Sequence, residues 1–251
     1  STELAKVYSL DIENESSDLQ AQGFVGQGDE IYMTADSLYL LKSQYQWFAG
    51  PIASFVWEGS ADEKLYIRQI AFNAETGSIT AEAEGEVRGR IKDRWALRSL
   101  NAGKNLVVTT SSGRLWATEG AEIAQNHLSI LEKDPASKSL QLVSALENFG
   151  TREDIRAVRY VNNMVYVVTF RQTDPLFAFD LSDLGSPVLV SGLKVPGFST
   201  YMHPLADGRL LGIGYDAIET ETSAIPSGVQ VSLFDTSDAA NMKRIDNKVY
   251  G

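Results

Sequence analysis

A degenerate internal repeat constrains this 251-residue chain more than any single motif does. Five segments share one shape: an alternating apolar strand, a turn rich in Asp, Asn, Ser or Gly, and a second alternating strand. They are Leu4–Leu10 with Leu19–Val25, Lys64–Phe72 with Ile79–Val87, His127–Leu131 with Leu140–Leu146, Leu176–Leu181 with Val188–Val195, and Val229–Asp235 with Lys243–Val249. A second, more aliphatic hairpin recurs between them, at Glu30–Met33 with Leu38–Leu41, Leu97–Leu100 with Leu106–Thr110, Ala157–Tyr160 with Val165–Thr169, and Tyr201–Leu205 with Leu210–Gly214. The turns inside these second hairpins, such as Asn162-Asn163 and Ala206-Asp207-Gly208-Arg209, hold residues that tolerate positive φ or close Asx turns.

An inner hairpin followed by an outer hairpin makes a four-stranded antiparallel blade. Repeated at near-blade spacing without a 3.6-residue period, it predicts an all-β fold and a β-propeller over a sandwich. The phase predicts about four blades plus a leading half-blade, in one domain over 1–251 that begins mid-blade. The expectation is a fragment of a larger ring, with residues before Ser1 completing it. Exposed blade edges would then favour self-association.

Composition narrows the function classes. A formal net charge of -11 repels phosphate backbones, so nucleic acid is not an expected partner. The absence of cysteine removes thiol catalysis and Cys-based zinc sites. No apolar run is long enough to span a bilayer, so membrane insertion of this segment is not expected. There is no GxSxG, and the glycines near Gly23, Gly26 and Gly28 precede a strand and not a helix.

The most specific text lies late in the chain: YVVTFRQTDPLFAFDLSD, LKVPGFSTYMHP and GIGYD, with Ser232–Asp238 similar to them. It resembles the bacterial and archaeal family of secreted proteins with a C-terminal β-propeller domain, distantly like WD40 repeats. The resemblance covers most of the chain, strongly from Ile155 onward and weakly before Ile91. It implies an exported, surface-associated propeller and no particular reaction or catalytic residue.

Two blade-to-blade insertions stand out. Gln44 to Asp62 carries Trp47, Phe48, Phe55 and Trp57, and aromatic residues dominate contact energetics. Asp216 to Ser227 is polar with Pro226. Arg171-Gln172-Thr173-Asp174-Pro175 reads as a rim loop, with Glu153, Asp154 and Arg156 on the same rim. His203, beside Tyr201, is read as facing the central channel. The candidate ligand contacts are therefore Arg171, Asp174, His203, Tyr201, Trp47 and Trp57. The Asp-rich turns Asp180–Asp183 and Asp235–Asp238 are explained by Asx chemistry and lack EF-hand spacing. No catalytic residue, metal or cofactor is expected. The expected role is a non-enzymatic extracytoplasmic binding or scaffold module, contacting a protein or glycan at the cell surface. The competing reading is a propeller hydrolase or lyase with acidic residues at the channel mouth.

Overall fold

The computed structural model describes residues 4–10, 19–26, 28–44, 63–73, 75–115, 122–170, 174–219 and 224–251. A half-blade comes first, made of β1 (Leu4–Ser9) and β2 (Gln20–Val25). The first full blade holds β3 (Glu30–Met33), β4 (Ser37–Gln44), β5 (Lys64–Phe72) and β6 (Ile79–Arg88). The second holds β7 (Leu97–Leu100), β8 (Asn105–Ser112), β9 (Gln125–Asp134) and β10 (Ser139–Phe149). The third holds β11 (Asp154–Val161), β12 (Met164–Phe170), β13 (Asp174–Asp180) and β14 (Val188–Val195). The fourth holds β15 (Phe198–Leu205), β16 (Arg209–Glu219), β17 (Ala224–Asp235) and β18 (Lys243–Tyr250). Every hairpin read from the repeat is present, and each full blade is an antiparallel meander from inner to outer strand.

Strand alternation explains how blades stack. On β12, Val165 and Val167 enter the core shared with the second blade, beside Phe179. Tyr166 and Val168 point the other way, into a core with Met202, Leu210 and Phe234 of the fourth blade. A period of two thus supplies two apolar faces from one strand. The half-blade joins by the same logic: Phe24 packs with Leu40 and Ile70. Outer edges are also linked. Ser144 Oγ donates to the Leu184 carbonyl at 2.6 Å, and Ser191 Oγ donates to the Ala239 carbonyl at 2.5 Å, each reaching the next blade's outer turn.

Three features depart from expectation. The first two blades form one eight-stranded sheet through a parallel contact of β6 with β10, at Glu84 and Ser139. Gly85 permits this, since a Cβ there would lie 2.6 Å from the Leu140 carbonyl oxygen. The polar stretch from Asp216 to Ser227 does not join two blades but lies within the fourth. It is mostly strand: β16 runs to Glu219 and pairs with β17, which starts at Ala224. Pro226 fits because it pairs with Ala217 at a bulge, where a missing N–H costs no regular ladder bond. Asp174 and Pro175 are also strand residues of β13, paired with Val195 and Lys194.

The Asp turns are closed by their own chain. Asp180 accepts from the Ser182 amide and hydroxyl at 2.8 and 2.6 Å, and Asp235 does the same with Ser237 at 3.0 and 2.6 Å. These bonds stabilise the charged form and hold both carboxyls below the usual aspartate range.

Candidate functional site: a charged rim and an arginine–aromatic strip

In a meander, alternate connections lie at the same end. The β4–β5, β8–β9, β12–β13 and β16–β17 connections therefore share one rim with the passages from each blade's outer strand to the next inner strand. The expected contact residues Trp47, Trp57 and Arg171 belong to the first and third of these connections and lie outside the described residues. The backbone of Asp174 begins β13 at this rim.

A polar network stiffens the rim around the second blade. Arg90 donates to Glu63 at 2.7 Å, to Asp154 at 3.2 Å and to the Gly113 carbonyl at 3.3 Å. Burial pushes the Glu63 carboxyl up from its ordinary value, and the Arg90 guanidinium opposes that shift. Asn126 is fully buried and accepts from Ser111 Oγ at 2.7 Å. Its amide donates to the carbonyls of Phe149, Gly150 and Glu153, which ties the β10–β11 passage to β9. Glu153 accepts from Thr169 Oγ1 at 2.6 Å, while burial raises its carboxyl. A cleft of about 120 Å³ lies between Arg90, Lys92, Ser111 and Asp154.

Beside it lies a buried Ser–His contact, with Ser112 Oγ 2.9 Å from His127 Nε2. Ser112 Oγ is also 3.1 Å from Glu122 Oε1, and a hydroxyl that donates to Glu122 would accept from His127 Nε2–H. Nδ1 has no partner among the described residues. Burial, then the nearby Arg88 charge, lowers the His127 pKa and keeps the ring neutral. Arg88 itself is paired with Glu122.

The inner strands carry a different surface. Tyr201 and His203 are exposed on β15, with Tyr201 Oη 3.1 Å from His203 Nδ1 and the rings stacked. Register places both on the face of the fourth blade that points away from the third, opposite Ile213 and Leu211. Arg159 of β11 joins this group: its guanidinium lies 5.2 Å from the Tyr201 ring and 4.7 Å from the Trp95 ring. Arg159 Nε also donates to the Met202 carbonyl at 2.7 Å. Trp95 sits in a 3-10 turn capped by Asp93 and is 47% exposed, with Arg94 also over its ring at 5.5 Å. Three successive blades thus contribute to one arginine–aromatic strip.

Sequence reasoning found the Tyr201–His203 end of this strip and missed Trp95 and Arg159. Asp93 two residues before Trp95 was the available signal, because it marks a capped turn that presents the indole. Nothing local announced Arg90 with Glu63, which meet from the segments just before β5 and just after β6. Arg156, expected on the same rim, lies over the Phe170 and Phe198 rings at 5.5 and 5.8 Å, at the rim ends of β12 and β15. Among the described residues, no group of three or more His, Cys, Asp or Glu side chains is arranged to hold a metal ion.

A family profile described as "Beta propeller domain" matches residues 1–251. An uncharacterized protein of Archaeoglobus fulgidus is 34% identical over 168 residues, covering 66% of this chain and 23% of that protein. An uncharacterized protein of Methanocaldococcus jannaschii is 31% identical over 162 residues, covering 64% of this chain and 23% of that protein. The chain thus spans under a quarter, 23%, of these curated relatives' length. Among solved structures, a periplasmic gluconolactonase of Pseudomonas aeruginosa is similar with TM-score 0.46 at 10% identity, over 98% of this chain and 83% of that one. An apocarotenoid oxygenase of Synechocystis gives TM-score 0.49 at 13% identity, over 96% and 55%.

Proposed function

This chain belongs to the beta propeller domain family, and from that premise we propose that it is a non-enzymatic, extracytoplasmic binding or scaffold module. Its ligand is a protein or glycan at the cell surface, held at the rim and along the inner strands. The exposed Trp95 carries this reading: Arg94 and Arg159 lie over its ring, and Arg159 is shared with Tyr201. Aromatic rings offer large apolar area with few rotamers to freeze, and arginine offers planar donors. A surface ordered before binding loses less entropy on binding. The polar network beneath the rim adds rigidity to the loops that leave it.

The competing hydrolase or lyase reading requires two carboxylates open to one cavity. Three rim carboxylates are engaged instead, Glu63 and Asp154 by Arg90 and Glu153 by Thr169. The test is a binding screen against immobilised glycans and cell-surface proteins. Trp95→Ala is expected to weaken any hit by about 2 kcal/mol or more, the size of an aromatic hot spot, without lowering the melting temperature. Equal binding by wild type and Trp95→Ala, or turnover of an offered glycan, contradicts the proposal.

A further inference from the structure

Two apolar surfaces of the molecule have no cover among the described residues, and both are continuations of an interface it uses repeatedly. The first lies beside the half-blade. Register puts Ile31 on the same face of the first blade as Leu40. The half-blade covers the outer part of that face, so Leu40 and Ile70 are buried against Phe24. The inner part is bare: Ile31 is 55% exposed and Met33 is 62% exposed. The half-blade is also a two-stranded sheet in which, among the described residues, β1 pairs only with β2. In every full blade the strand equivalent to β1 pairs on its inner side with another strand, as β5 does with β4 and β13 with β12. A free inner edge therefore lies next to a bare inner face. The gap has the position and the chemistry of a missing inner hairpin.

The second surface is the face of the fourth blade that points away from the third. Ile213, Tyr215, Val229 and Tyr250 lie on it by register, and all four are exposed. The corresponding face of the third blade holds Tyr166, Val168, Leu176 and Ala178, all buried by the fourth. The outer-edge contact repeats too. Ser144 and Ser191 sit at the same bulge of consecutive outer strands, and each donates to the next blade's turn. The fourth blade carries its bulge at the matching place, between Leu233 and Phe234, with Asp246 opposite Leu233.

We propose that sheet of the same polypeptide, from outside residues 1–251, covers both surfaces. An inner hairpin pairs with the free edge of β1 and covers Ile31 and Met33, and a blade docks on the Ile213–Tyr215 face. The half-blade makes this occupant a better fit than a second copy, because only strands added in line with β1 complete the pattern of the four full blades. The curated relatives, of which this chain spans 23%, have the length for it.

Cysteine accessibility in the longer polypeptide that the proposal requires tests it. Met33→Cys and Tyr215→Cys are made separately, with Glu75→Cys in an exposed turn as the reference. Maleimide labelling of the monomeric protein is expected to be at least about tenfold slower at positions 33 and 215 than at 75, as for sites that react only on local opening. Met33→Asp is expected to lower the melting temperature of the longer protein and leave that of the 1–251 segment unchanged. The proposal is overturned if either cysteine labels at the reference rate. It is equally overturned if protection appears only at concentrations where the protein self-associates, which would make a second copy the occupant. A docked blade would also cover Tyr201 and His203, which share the Ile213 face, and leave the Trp95–Arg159 end of the strip open. Labelling at 33 and 215 is read without any ligand, so failure of the binding reading at Trp95 leaves this result untouched.

Discussion

The third and fourth blades carry nearly the same strand pattern and live in different surroundings. In the third, both faces of β12 are covered, with Val165 and Val167 in one core and Tyr166 and Val168 in the next. In the fourth, Leu210 is buried on one side of β16 while Ile213 and Tyr215 stand exposed on the other. A strand whose two faces are both apolar is the signature of burial on both sides. The fourth blade therefore has the residues of an internal blade and the exposure of a terminal one.

The sharpest way to break that comparison is to cut a large side chain from each blade. Phe179 is fully buried and packs 4.8 Å from the Phe149 ring. Phe179→Ala is expected to cost about 3–5 kcal/mol in urea denaturation of the 1–251 segment, the usual range for a buried aromatic. Ile213→Ala, on the bare face, is expected to stay within about 0.5 kcal/mol. Similar losses at the two positions would mean that the fourth blade is covered by something in this segment itself.

A smaller effect is expected from the covered histidine. The His127 pKa is lowered by burial, so the unfolded chain binds the proton more tightly than the folded one. Stability should then fall as pH drops below 6.5, the ordinary histidine value, and level off once the folded ring titrates. His127→Gln should remove that slope between pH 7 and 5. The raised Glu63 and Glu153 carboxyls act in the opposite sense as pH falls. A stability difference between wild type and His127→Gln that stays constant from pH 7 to 5 is therefore the result that would contradict the buried, neutral ring. The smallest effect is expected at the turns, where Asp180→Ala removes bonds from Ser182. Its depressed carboxyl contributes stability above the ordinary aspartate value that is lost as pH falls through the folded one, so wild type and Asp180→Ala should converge in acid.

Much of the fold was legible because its signals are local. The turn at Asn162-Asn163, with Asn162 at φ 52°, and the one at Asp207-Gly208, at φ 60° and 67°, follow from residues that accept that backbone. Alternation in Met164–Phe170 announced a strand but not which neighbour each face would meet. The joining of β6 to β10 was illegible, because it depends on Gly85 meeting a backbone far along the chain. The site divided in the same way. Tyr201 and His203 were visible through a strongly patterned strand, but their orientation was set by the bulge between Ser199 and Tyr201. The Arg159 contacts depend on three blades coming together, which no spacing encodes.

Native-state hydrogen exchange on the 1–251 segment tests most directly the claim that the blades differ by cover and not by pattern. Amides of β12 should exchange only through global unfolding, while those of β18, whose side chains are mostly exposed, should exchange through smaller local openings. Protection of β18 equal to that of β12 in the monomeric segment would contradict the account.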